Sequence, residues 1–211
     1  MQLVHYGHSC VLVETDSARL LFDPGMFSTG FEDLSDLDAV LITHQHPDHL
    51  DVNRLPALLK ANPNAKLIVD PASADEVTKV DLAARVVSPG ESLELAGAAV
   101  HTVGGNHAVI HPEIPVPPNV GYVVEHGAFY HPGDSFYRPD QEIDVLGLPT
   151  GAPWLKLSET IDFLRMVRPR VAVPIHQAVL AMPQMHYGRF SDLAPAGAEV
   201  RVLTEQEPAG F

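Results

Sequence analysis

Short apolar runs rich in β-branched residues recur along the chain, at residues 3–6, 11–14, 19–22, 39–43, 66–69 and 86–88. They continue at 99–103, 121–125, 128–130, 145–148, 171–175 and 200–203. Runs of this length and composition predict strands. His126-Gly127, between two of them, predicts a tight hairpin. Two segments carry helical spacing instead. Residues 50–61 set Leu50, Leu55, Leu58 and Leu59 on one broad face. Residues 158–168 offer Ser158 as a cap, Glu159 and Asp162 in the first turns, Arg165 and Arg168 near the end, and Pro169 as a stop. Many strands with few helices, often adjacent in sequence, argue against a parallel βαβ array, which needs a helix at nearly every crossover. The predicted class is α/β, of the α+β kind, with two packed sheets flanked by helices.

Composition narrows this to one globular domain spanning residues 1–211. The chain is 45% hydrophobic and 19% charged, and a domain of this length buries enough surface to need no staples. No stretch reads as a linker. The Pro-rich residues 111–118 read as an ordered loop, and 205–211 as a loose tail. A net charge of −14 argues against broad nucleic-acid binding and against docking on an anionic membrane. No apolar run approaches the ~20 residues of a membrane-spanning helix. The N-terminus has no basic stretch followed by an apolar core, and Cys10 is the single cysteine, so a cytoplasmic protein is expected. One cysteine also excludes an intrachain disulfide and a multi-cysteine metal site. The unusual count is histidine: twelve, against thirteen lysines and arginines together. Histidine is the commonest metal ligand, so the placement of these twelve becomes the central question.

Thr43-His44-Gln45-His46-Pro47-Asp48-His49 holds three histidines and an aspartate between a predicted strand and a predicted helix. Imidazole and carboxylate together suit Zn²⁺ and similar ions. In an extended turn His44 and His46 project to one side. Asp48 and His49 lie past the turn and serve a different point, so one segment can feed two adjacent ions. A lone His-x-His is weak evidence, but Asp-His two residues later, at a strand-to-helix junction, makes a merely solvated turn a poor explanation. Further ligands are expected at other strand ends. His107, Asp134 and His176 each follow an apolar run, and ends of neighbouring strands gather on one sheet edge.

This pattern resembles the metallo-β-lactamase-fold hydrolase superfamily. Its His-x-His-x-Asp-His signature stands as His44, His46, Asp48 and His49, followed in order by His107, Gly133-Asp134 and His176. Gly7-His8-Ser9 and Phe22-Asp23-Pro24 also resemble its short single-domain branch, which includes the ascorbate-phosphate lactonase-like proteins. The resemblance implies a four-layer αββα sandwich of two mixed β-sheets with a dinuclear metal site at one edge. It implies two divalent ions, Zn²⁺ foremost with Mn²⁺ or Fe as alternatives. His44, His46 and His107 would hold the first, Asp48, His49 and His176 the second, and Asp134 would bridge. His111, four residues on, is an alternative to His107. Asp23 either orients a ligand histidine or caps its own turn.

The reaction so implied is hydrolysis of an ester-type bond by a hydroxide between ions about 3.5–4 Å apart, with Asp48 and Asp134 as the catalytic carboxylates. Lactone, thioester and small phosphoester bonds fit. The substrate expected is a small molecule, with an anionic one compatible because two ions would offset the chain's negative charge locally. Asp134 is unlike the true β-lactamases, and His46 unlike the flavodiiron proteins. A non-enzymatic metal- or ligand-binding module on the same fold and a redox di-iron protein are the alternatives. Trp154 and Lys156 are candidate pocket residues, Lys156 for an anionic group, although simple burial of Trp154 against the 158–168 helix is the preferred reading. Residues 108–118 are a candidate lid. His5, His101 and His126 are expected to be structural or exposed, His186 to lie in a polar loop, and His8 and His131 to stand near the motifs.

Overall fold

A computed structural model describes residues 1–211. In chain order the elements are β1 (Gln2–His5), β2 (Val11–Glu14), β3 (Arg19–Phe22), β4 (Ala39–Leu41), α1 (Leu55–Ala61), β5 (Lys66–Val69), α2 (Pro71–Thr78), β6 (Arg85–Val86), β7 (Ser92–Leu95) and β8 (Ala98–Asn106). There follow β9 (Pro118–Val124), β10 (Phe129–His131), β11 (Val145–Pro149), α3 (Leu157–Val167), β12 (Val171–Ile175), α4 (Pro183–Leu193), β13 (Glu199–Val200) and β14 (Ala209–Gly210).

Two seven-stranded sheets result, ordered β14-β1-β2-β3-β4-β5-β6 and β13-β12-β11-β10-β9-β8-β7. Each is mixed in the same way. From β14 to β3 the pairings are antiparallel, and from β3 to β6 parallel. From β7 to β10 they are antiparallel, and from β10 to β13 parallel. Strands β1, β3 and β4 therefore run in one direction within their sheet, and β8, β10, β11 and β12 in one direction within theirs.

Alternation of side chains along the strands sets the layers. In β4, Ala39 and Leu41 enter the core between the sheets, while Val40 packs with Leu55 and Leu58 of α1 and Val77 of α2. In β12, Val171, Val173 and Ile175 enter that same core, while Ala172 packs with Phe163 of α3 and Phe190 of α4. Phe22, Tyr122 and Phe129 cross the middle, with ring centroids 5.8 and 5.9 Å from Phe22. The outcome is the αββα sandwich.

Several local expectations need correction. The helix expected over residues 50–61 begins only at Leu55. The Asp51 carboxylate accepts the N–H groups of Asn53 (2.9 Å) and Arg54 (3.3 Å), which holds the preceding residues in a turn. The helix expected over 158–168 starts at Leu157, not behind a Ser158 cap, and Glu159 Oε2 accepts the Lys156 N–H at 2.7 Å. Helices α2 and α4 and strand β7 were not anticipated. Each helix buries few side chains, Ser73 and Val77 in α2 and Phe190 in α4, so its apolar periodicity is faint. The tail expected to be loose instead pairs with the first strand, Gln2 opposite Gly210 and Leu3 opposite Ala209. No helix is long and apolar enough to cross a membrane.

Candidate metal centre

The segments that follow β1, β3, β4, β8, β10 and β12 meet at one edge of the sandwich. Three hydrogen bonds tie the two halves together there. Val120 N–H donates to Thr43 O (2.8 Å), Tyr122 Oη to Ile42 O (2.8 Å), and His176 N–H to His8 O (2.8 Å). His8, Asp23 and His176 sit in the left-handed region, with φ of 49°, 46° and 61°. Non-glycine residues hold that conformation only where packing imposes it, and such positions cluster at functional sites.

Seven residues expected as ligands converge here in two groups. His44, His46, His107 and Asp134 form one, with all ligand atoms within 4.8 Å of one another. Asp48, His49, His176 and His8 form the other on the same measure. Asp134 faces both. Its Oδ2 lies 3.3 Å from His107 Nε2 and 4.0 Å from His44 Nε2, while its Oδ1 lies 3.0 Å from His49 Nε2 and 3.2 Å from His176 Nε2. His111 is exposed and accepts the Glu113 N–H, so it is His107 that joins the group.

The far nitrogen of four of the five imidazoles is tied down, which fixes their tautomers, whereas His46 turns its Nδ1 inward, 3.0 Å from His44 Nε2. His49 Nδ1–H donates to Asp23 Oδ2 at 2.7 Å, His107 Nδ1–H to Ala108 O at 2.5 Å, and His176 Nδ1–H to Gly151 O at 2.6 Å. Thr43 Oγ1–H donates to Asp23 Oδ2 (2.7 Å) and in turn accepts from His44 Nδ1 (3.0 Å). The Nε2 lone pairs of His44, His49, His107 and His176 are thereby turned inward. His107 Nε2, His176 Nε2 and Asp134 Oδ1 are buried and make no hydrogen bond. Buried acceptors without partners are costly, and three at one point mark a place for a cation. The donor set, imidazole and carboxylate, fits a divalent transition ion or zinc.

The electrostatics agree. Burial and the neighbouring imidazoles of His49 and His107 hold His44 well below the usual histidine range. Burial opposes ionisation of Asp134, but His176 and His49 outweigh it and keep the carboxyl well below its usual range. Burial likewise opposes a charge on His49 and His176, yet the pull of Asp134 wins at both, lifting His176 to about 9. A field that draws protons onto buried imidazoles also draws a metal ion into their place.

Asp23 orients rather than merely caps. It is fully buried, and besides His49 and Thr43 Oγ1 it accepts the Thr43 N–H at 2.8 Å through Oδ1. Asp23→Asn keeps the shape but cannot accept from all three donors. Metal affinity is expected to fall about 10–100-fold, measured by competition with a chromophoric chelator.

Two residues flagged in the sequence, Trp154 as a candidate pocket residue and His8 as one standing near the motifs, make contacts at the centre that local spacing does not specify. Trp154 Nε1–H donates to Asp134 Oδ2 at 2.6 Å, and its ring stands edge-on to His107 and Phe136. It is buried, but its contacts are the Asp134 carboxylate, His107 and Phe136, and it is Phe136 that packs on Phe163 of α3. His8 Nδ1 accepts the Ala178 N–H (3.3 Å), so its proton sits on Nε2 and is donated to Asp48 Oδ2 at 3.1 Å. A neutral ring so committed has no free lone pair, and His8 thus positions Asp48 rather than binding an ion itself. Burial holds its pKa down to about 4, consistent with a neutral ring. Lys156, the expected anion partner, is largely exposed, lies 3.9 Å from Glu159 and does not line the cavity at the centre. His131 stacks on Phe22 and bonds Ser9 O, and His5 bonds His8 O; both are buried outside the two groups. His186 lies in α4, not in a loop, and bonds Thr150 O.

Residues 2–176 match the family model described as Beta-lactamase superfamily domain. The chain belongs to that superfamily. Among its relatives, Protein Rv0786c of Mycobacterium tuberculosis is 49% identical, with both chains covered in full. A UPF0173 protein of Pyrococcus furiosus is 32% identical over 92% of this chain and 87% of its own, which places the superfamily member in the UPF0173 group. Others of that group are named metal-dependent hydrolases. Igni18, a metallo hydrolase of Ignicoccus hospitalis, has the same fold, with a TM-score of 0.78 at 23% identity over 100% of this chain and 97% of its own.

Proposed function

We propose that this chain, a metal-dependent hydrolase by class, works through a dinuclear centre on an ester-type bond. The observation that carries the reading is Asp134, one oxygen of which faces each group of histidines, beside two buried Nε2 atoms that lack any partner. His44, His46 and His107 would hold one ion, Asp48, His49 and His176 the other, and Asp134 both. Zn²⁺ is the foremost candidate, with Mn²⁺ or Fe as alternatives. When bound, such ions polarise the electrophilic oxygen and lower the pKa of water to near neutrality.

The chain's own residues supply orientation. Asp23 aims His49 directly and His44 through Thr43. Trp154 pins one oxygen of Asp134 and leaves the other free. Asp48 is the more accessible carboxylate, about one-fifth exposed, and reaches the cavity while His8 and His176 keep it ionised. It is therefore suited to accept and steer a proton at the substrate rather than to arrive protonated.

The test is a screen of nitrophenyl esters, γ- and δ-lactones, acyl thioesters and bis-nitrophenyl phosphate. Turnover of at least one class that disappears with chelator and returns with Zn²⁺ or Mn²⁺ is expected. Turnover indifferent to chelator contradicts the reading.

A further inference from the structure

We propose that the site is shaped for an uncharged, apolar acyl group, so that the substrate is a carboxylic ester, lactone or thioester of a small hydrophobic acid. This rests on the hydrolase reading above and narrows its substrate. A cavity of about 270 Å³ opens onto both groups of ligands, near the lower end of the ~300–1,000 Å³ typical of small-molecule sites. Its walls are Met26, Phe27, Ile110, Pro153, Trp154 and Val179. The polar lining residues, His46, Asp48, Asp134 and His176, all belong to the candidate centre. No lysine or arginine lines it.

Three of the wall residues are large apolar side chains held in water at the mouth, with Met26 53%, Phe27 45% and Val179 45% exposed. Phe27 and the Met26 backbone are held there by packing and hydrogen bonding. Phe27 stands edge-on to the buried His8 at 5.2 Å, and Met26 N–H bonds Pro47 O at 2.8 Å. A ligand that covers them removes apolar surface from water, which favours binding in proportion to the area. A charged acyl tail among the same walls would lose its hydration and find no lysine or arginine to pair with, the cations of the centre being taken up by the reacting carbonyl. The anionic substrate compatible with the sequence is thus disfavoured on the acyl side by the cavity itself.

Trp154 is the single tryptophan and forms part of the wall, so its fluorescence reports occupancy independently of turnover. The experiment titrates the protein as isolated with butanamide, hexanamide and octanamide, and with succinamate as the anionic counterpart. Kd is expected to fall by up to about fourfold per added methylene, and succinamate is expected to show no binding where hexanamide saturates. In Val179→Lys, an exposed position, hexanamide should weaken and succinamate should bind. Succinamate binding the unaltered protein as tightly as hexanamide, or a Kd indifferent to chain length, overturns the proposal. The same chain-length series as nitrophenyl esters separates the two claims. Chain-length-dependent binding without turnover of any ester, lactone or thioester supports the cavity and overturns the ester-type reading. Turnover with no preference for longer acyl chains overturns the cavity's role and leaves that reading intact.

Discussion

Asp134→Asn is expected to keep its fold and lose on the order of 10³-fold in kcat/KM, together with most of its metal. The substitution preserves volume and still offers an oxygen to the Trp154 N–H, now at 2.6 Å from Oδ2. It removes the charge that faces His44, His49, His107 and His176 from 3.0 to 4.0 Å. It also replaces one acceptor oxygen by an amide that cannot ligate. A single charged group aimed at a low-dielectric centre is commonly worth ~10²–10³ in rate, and here both groups of ligands lose it at once. Unchanged far-ultraviolet circular dichroism with metal content well below that of the unaltered protein is the expected result. Retained metal with retained activity would contradict the role given to Asp134.

Gly25→Ala is expected to damage the site by a different route. A Cβ built on Gly25 would fall 1.8 Å from Asp48 O, 2.0 Å from Asp48 C and 2.5 Å from His49 N. These are backbone atoms, which cannot rotate away as a side-chain end can. Neither side is free to drift, because Gly25 O accepts from Arg54 Nη2 (2.6 Å) and Met26 N–H bonds Pro47 O (2.8 Å). The Asp48-His49 segment must therefore shift, carrying two proposed ligands of one ion. Displacements of about 1 Å at a catalytic centre cost roughly 10²-fold, and overpacking a tight contact costs about 1–3 kcal/mol of stability. Gly188→Ala is the control. It lies within α4 with nothing near its Cβ position, so activity should be unchanged. A Gly25→Ala protein with native kinetics would show that the close approach is not needed.

The parts of this picture legible in the sequence are those encoded locally. His44, His46, Asp48 and His49 stand within six residues, after a strand, so their spacing carries the chemistry. Asp134 and His176 follow strands whose direction the topology aligns, and those strands are legible as continuous apolar runs because both of their faces are buried, whereas the alternating β7 was missed. Other features depend on contacts far apart in the chain. His8 meets Asp48 across forty residues, and Asp134 meets Trp154 across twenty. No local pattern distinguishes such a tryptophan from one that is only buried. Gly25 resembles an ordinary turn glycine after Asp23-Pro24 until the segment 48–49 is seen against it. The missed helices share one cause: α2 and α4 lean on few buried side chains, so capping by Asp70 and tertiary contact carry more than apolar periodicity. The tail illustrates the reverse, a polar and proline-bearing segment ordered by pairing with β1.

The claim at the centre is that two ions, not one, serve the chemistry. Metal content per chain, measured alongside ester turnover through a graded chelation and reconstitution series, tests it most directly. The account predicts saturation at two equivalents per chain, with activity rising mainly on the second. Full activity at one equivalent or at none would contradict it.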